Sequence, residues 1–129
     1  MRAFSVTLRS LLPIILATGG LTAAAAAPAS AGPAQTCYGG SVSYASSHSP
    51  DSGYQEWPAN YATTGPNCAD INVRPTQGVS VRTCWINAGT CNGWTWIPAN
   101  SWTEVAYGVP DGTHYYLQFS APSSGRVAD

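Results

Sequence analysis

The stretch Val79-Ser80-Val81-Arg82-Thr83-Cys84-Trp85-Ile86-Asn87-Ala88-Gly89-Thr90-Cys91 decides the fold class. From Val79 to Ile86 the residues alternate. Val79, Val81, Thr83 and Trp85 share one face, and Arg82 and Cys84 take the other, which is the period of a β-strand. Asn87 to Gly89 is a turn signal, after which the chain runs back to Cys91. Strand, turn and return make a hairpin. A Cys84–Cys91 bond would staple it and pin its register, because a one-residue slip exchanges its two faces.

The same period recurs on both sides. Cys68 to Arg74 sets Ala69, Ile71 and Val73 against Asp70, Asn72 and Arg74, and Pro75 ends the run. Val42 and Tyr44 alternate with Ser41, Ser43 and Ala45 in a first strand. Gly93 to Ile97 places Trp94 and Trp96 on one face, and Pro98-Ala99-Asn100 turns the chain. Trp102 to Tyr107 alternates again: with Val105 and Tyr107 inward, Trp102, Glu104 and Ala106 point out. Val109-Pro110-Asp111-Gly112 is a tight reversal, since Pro presets φ and Asp-Gly favours the turn. Thr113 to Phe119 is the last expected strand, with Thr113, Tyr115, Leu117 and Phe119 opposing His114, Tyr116 and Gln118. Ser46 to Asn67 is rich in Pro, Gly and Ser and reads as a long loop, with one short strand at Tyr54 to Trp57. No segment after the N-terminal one has sustained helical periodicity. The expectation is an all-β fold: a small disulfide-stabilised antiparallel β-sandwich or barrel of six to seven short strands.

Arg2 and Arg9 flank the start of an apolar run, Leu11 to Leu21, and Ala29-Ser30-Ala31 is a small-x-small cleavage pattern. Pro13, Gly19 and Gly20 interrupt the run, which is shorter than the about 20 residues of a membrane span. The expected organisation is a cleaved secretory signal over residues 1–31, a flexible leader over 32–36, one β domain over 37–119 and a flexible tail over 120–129. The product is expected to be secreted, extracellular or cell-wall associated, with no stable membrane insertion. After the signal the chain keeps Arg74, Arg82 and Arg126, no Lys, and six acids, a net charge of −3. That balance excludes a nucleic-acid binder, which needs clustered cations.

Cys37, Cys68, Cys84 and Cys91 make an even set in a small exported domain, and four Cys allow three pairings. Cys37–Cys68 with Cys84–Cys91 is the favoured one. In the loop-entropy picture the short loop contributes roughly 2–3 kcal/mol and the long one roughly 3–4. No Cys-x-x-Cys occurs, and His48 and His114 lack ligand spacing, so neither metal nor cofactor is expected.

Cys68-Ala69-Asp70-Ile71-Asn72-Val73-Arg74, the Trp-rich segment after it and Asp111-Gly112-Thr113 resemble small exported proteins of high-GC Gram-positive bacteria, most of which carry no assigned activity. The resemblance spans Cys68 to Phe119. It implies secretion and an all-β fold, and no reaction. At the level of architecture the chain is also similar to amylase inhibitors of the tendamistat type, which are small two-disulfide β-sandwiches. Their inhibitory Trp-Arg-Tyr triplet is absent: Arg82 stands between Val81 and Thr83, and Arg74 between Val73 and Pro75.

Aromatic residues dominate the candidate functional positions. The exported part holds five Trp, seven Tyr and Phe119. Trp85 belongs to the core by its parity with Val79 and Val81. Trp94 and Trp96 compete with Thr95 and Ile97 for the inner face, which favours a core position for at least one of them. Facing outward, they would join Arg82, Trp102, Glu104 and Tyr116 in a mixed aromatic and polar patch. Trp57, in the long loop before Pro58, is expected to be partly exposed. Flat rings on a sheet stack on sugars or on partner side chains, and Trp and Tyr dominate interface hot spots. For catalysis, His48 with Asp51 and His114 with Asp111 come without a nucleophile-elbow pattern. Glu56 and Glu104, with Asp70 or Asp111, are isolated acids rather than a glycosidase motif. The sequence therefore points to a non-catalytic binding module. Its expected partner is a polysaccharide or the cell envelope. The alternative is a secreted inhibitor of a hydrolase, an amylase or a protease, presenting the Cys84–Cys91 hairpin or the Ser46–Asn67 loop.

Overall fold

The computed structural model describes residues 36–129. The signal assigned to residues 1–31 lies outside the described residues, as does the leader up to residue 35. Thr36 accepts hydrogen bonds from Gly39 and Gly40 and opens a 3-10 turn at Tyr38–Gly40.

The described residues form an all-β, sandwich-like fold of two antiparallel sheets. The strands are β1 (Val42–Ala45), β2 (Ser47–His48), β3 (Gln55–Thr63), β4 (Ile71–Pro75) and β5 (Val79–Trp85), followed by β6 (Thr90–Cys91), β7 (Thr95–Ile97), β8 (Thr103–Ala106), β9 (His114–Phe119) and β10 (Ser124–Ala128). One sheet has the order β1-β10-β4-β8. The other runs β2-β3-β9-β5-β6, and β7 pairs with β5 as well. Ten strands replace the six or seven read from the sequence.

Paired residues share a face of a sheet, so register decides what is buried. Val81 lies opposite Phe119, Thr83 opposite Leu117 and Trp85 opposite Tyr115. Phe119, Leu117 and Tyr115 are fully buried. From the four-stranded sheet, Ile71, Val73 and Val127 close the core. Tyr44 of β1 stacks on Phe119 of β9, with ring centroids 5.2 Å apart. Each such side chain stabilises the fold by roughly 1.5–3 kcal/mol through burial. Cys84–Cys91 bridges a cross-strand pair of the β5–β6 hairpin, and Cys37–Cys68 ties the 3-10 turn to the approach to β4.

Three expectations are corrected. Residues 120–129 are not a flexible tail: β10 occupies the middle of its sheet, between β1 and β4. Gly125 allows this, because a Cβ there would overlap the backbone carbonyl of Arg74. Ser46–Asn67 is not mainly loop: it contains β2 and the nine-residue β3, which pairs with β9 except where Pro58 to Tyr61 arch out between Trp57 and Ala62. In β8, Val105 is an extra residue between the pairs Asn72–Glu104 and Ile71–Ala106. That bulge turns Val105 and Ala106 both inward and leaves Tyr107 73% exposed, so the simple alternation fails there.

Across the sandwich the buried Tyr115 hydroxyl donates to the Asp129 carboxylate beyond β10. Burial pushes the Asp129 carboxyl above its ordinary value, against a smaller opposite effect of that bond. The folded state then holds a proton that the unfolded state releases. Stability from this group therefore rises as pH falls from neutral through the raised value toward about 3.9, the unfolded one. In thermal unfolding between pH 7 and 4, Asp129→Asn should remove that part of the pH dependence, and identical slopes for the two proteins would refute the assignment. Gly125→Ala should cost about 2–3 kcal/mol in urea unfolding, since backbone cannot yield as a side chain can.

Candidate functional site

The outer face of the six-stranded sheet collects the polar and aromatic residues that the core excludes. On β5, Arg82 points out because Val81 and Thr83 point in. Its cross-strand partner on β9 is Gln118, whose partner on β3 is Glu56, whose partner on β2 is Ser47. The row runs across four strands, roughly 14 Å. Its first three members are joined by side-chain hydrogen bonds, and Ser52 of the β2–β3 turn caps Glu56. Arg82 Nε donates to Gln118 Oε1 at 2.7 Å, Gln118 Nε2 donates to Glu56 Oε2 at 2.8 Å, and Ser52 Oγ donates to the same Glu56 oxygen at 2.8 Å. Gln118 is buried, so the amide that orients both charged groups is itself fixed.

Aromatic rings flank the Arg82 end. The guanidinium carbon lies 4.6 Å from the centre of the Trp94 ring and 5.3 Å from that of Tyr54. The two rings are 5.1 Å apart and tilted by 59°. Arg82, Trp94 and Tyr54 thus form a triangle about 5 Å on a side, in cation–π geometry. Trp96 stands beside it as the partner of Ser80. Its indole lies over Gly78, where an added Cβ would come within 2.5 Å of Cζ2. The exposures are 64% for Trp96, 39% for Trp94 and 38% for Tyr54.

Of the seven candidate residues, Arg82, Trp94, Trp96 and Tyr116 share this face; Tyr116 is opposite Cys84. The expectation that Trp94 or Trp96 fills the core is overturned. Register with β5 sets Ile97 opposite the buried Val79 and so turns Trp96 outward. Trp57 is partly exposed as expected, but it lies outside the patch. It pairs with the inward Leu117, packs on the core and meets the Tyr44 ring at 6.0 Å. Trp102 and Glu104 belong to the other sheet. Trp102 stacks on Tyr38, centroids 4.5 Å apart and planes 6° apart. Tyr54, which the sequence groups with Trp57 and Tyr61 in the long loop, joins Arg82 and Trp94 instead. Its loop position hid that the β2–β3 turn folds over the sheet.

The titratable groups elsewhere are arranged differently. Near the four-stranded sheet the Gly108 amide donates to Asp70 Oδ1 at 2.8 Å and holds its carboxyl below the usual value, while the neighbouring Asp70 raises Glu104. His114 Nδ1 lies 2.9 Å from Thr63 Oγ1, with Tyr61 packed on its ring. A cleft of about 310 Å³ at one end of the sandwich is walled by Trp85, Tyr107, Val109, Pro110 and His114. Among the described residues no cluster of three or more potential metal ligands occurs.

No family model, curated protein or solved structure matches this chain. The site therefore rests on its geometry.

Gly78→Ala should shift the Trp96 indole N–H resonance, because the ring must leave the backbone. Stability should change by less than about 1 kcal/mol, since an exposed ring can yield. An unmoved resonance would show that the ring does not rest on Gly78.

Proposed function

We propose that this chain is a secreted, non-catalytic binding module whose ligand is a polysaccharide, free or in a cell envelope. The observation that carries the reading is the outer face of the six-stranded sheet. It presents three exposed aromatic side chains beside a prearranged row of hydrogen-bonding groups. Sugar rings offer apolar C–H faces and a belt of hydroxyls. Trp94, Trp96 and Tyr54 suit the faces, and Arg82, Glu56 and Ser47 suit the belt, with the buried Gln118 holding Arg82 and Glu56 in place. Arg82 and Glu56 are held before a ligand arrives, which lowers the ordering cost of binding. Two disulfides fit an oxidising compartment, and the signal-like N-terminal sequence fits export.

One observation favours the inhibitor reading as the second choice. The hairpin closed by Cys84–Cys91 carries an exposed turn, Ile86 to Gly89, with Ile86 39% exposed at its start. A stapled loop with an apolar residue is a form that hydrolase clefts accept.

Co-sedimentation separates the two. Oxidised protein is mixed with insoluble polysaccharides and with purified bacterial cell walls, and the bound fraction is measured. Saturable binding to one material is expected, weakened about tenfold or more by Trp94→Ala or Trp96→Ala, since buried aromatic anchors contribute about 1–2 kcal/mol each or more. Ile86→Ala should leave it unchanged. No retention on any material would overturn the polysaccharide reading, and inhibition of a secreted hydrolase lost in Ile86→Ala would install the other.

A further inference from the structure

We infer that the polymer bound by this face is anionic, and that Arg82 is the residue that recognises its carboxylate or phosphate groups. The inference rests on the polysaccharide reading and narrows it.

Arg82 is charged, half-buried and held by a neutral partner. Its Nε donates to the Gln118 amide, not to a carboxylate. Glu56, the acid of the row, lies beyond Gln118 and is engaged by Gln118 and Ser52. The Arg82 charge is therefore oriented without being neutralised by contact. Two rings support the guanidinium without using its N–H donors. Among the described residues no hydrogen bond engages Nη1 or Nη2 of Arg82. Those four N–H groups are the forked edge that grips a carboxylate or phosphate through two parallel bonds. The flanking rings exclude water from one side, which strengthens such a bond.

Charge elsewhere sharpens the point. Arg74 and Arg126 are on β4 and β10, in the other sheet. The chain after the signal is net acidic, so its overall field repels a polyanion. Attraction must then be local, and Arg82 is where this face supplies it. A purely supporting role, with Arg82 as a strut between the sheet and the β2–β3 turn, predicts no preference between charged and neutral ligands.

Matched glycan pairs test this by titration calorimetry on the oxidised wild-type protein. One pair is polygalacturonate and its fully methyl-esterified form; the other is phosphomannan and neutral mannan. Within each pair the backbone is kept and the charge is removed. The expected result is at least tenfold tighter binding of the anionic member of one pair, which also identifies the anion. That preference should fade between 50 mM and 500 mM salt, while neutral binding holds. Arg82→Gln should erase the preference and leave residual neutral binding; Arg82→Lys should keep part of it. The salt series needs no variant, so a folding defect in either protein leaves the test intact. Equal binding of charged and neutral members overturns the inference and leaves the polysaccharide reading standing. Binding to none of the four glycans, nor to cell walls, overturns both. Equal loss of charged and neutral binding in Arg82→Gln would make Arg82 a strut.

Discussion

Val81 sits opposite Phe119, and from that register much of the molecule follows. The β5–β9 ladder is central to the larger sheet. Its inner column, Val81–Phe119, Thr83–Leu117 and Trp85–Tyr115, supplies much of the core. Its outer column, Arg82–Gln118 and Cys84–Tyr116, supplies the middle of the candidate site. A slip of one residue would drive Arg82 and Gln118 into the core and expose Phe119 and Leu117. Core and site thus enforce each other. The Cys84–Cys91 bond fixes the far edge of β5 against β6, where the hairpin has two paired residues on each side and few ladder bonds to hold it. In so small a domain a staple of roughly 2–3 kcal/mol is a substantial share of a total stability of about 5–15.

Aromatic residues serve two distinct ends in this fold. Tyr44, Tyr115 and Phe119 fill the interior, with Trp57 and Trp85 packed against them, so the chain's shortage of Leu and Ile is met without Trp94 and Trp96. Those two rings add little to the core. β7 is a three-residue strand anchored by one buried side chain, Ile97, and it carries the most exposed Trp of the chain on its other face. Large exposed apolar area lowers solubility and gives folding nothing in return. The binding reading gives that exposed area a reason that folding does not supply.

The sequence is most legible where one strand carries several apolar residues in alternation. Ile71 and Val73 in β4, Val79 and Val81 in β5, and Tyr115, Leu117 and Phe119 in β9 each outvote their neighbours. The two disulfides follow because a small even set of Cys leaves few choices. β10 is illegible for a physical reason: Ser-Gly-Arg-Val-Ala has a single large apolar residue, Val127, and the Gly that resembles loop sequence is there for close approach to β4. β3 is hidden by Pro58 and by the arch that interrupts its pairing. Strand parity gives the sheet face of Arg82 and Tyr116. Parity cannot say which sheet a strand joins, and so it does not separate Trp102 and Glu104, at β8 of the other sheet, from the residues of β5, β7 and β9. It also cannot see a bulge, which reversed Ala106 and Tyr107.

The three arginines of the described residues show how context divides one side chain into two uses. Arg74 and Arg126 face each other directly across β4 and β10, a like-charge pairing that disfavours the ladder by a few tenths to about 1 kcal/mol. Each is drawn away from the other. Arg126 reaches β1 through the Ser41 and Ser43 hydroxyls and the Ser41 carbonyl, while Arg74 turns to the Asn100 carbonyl. Their donors sew an edge strand and a turn onto the sheet, and the separation relieves the repulsion. Arg82 has no such errand. One neutral bond and two rings hold it, and they leave its outer donors toward solvent on the face where the aromatic residues gather. A guanidinium in that state is already positioned and partly desolvated, so much of what an anion must overcome to bind it has been met by folding.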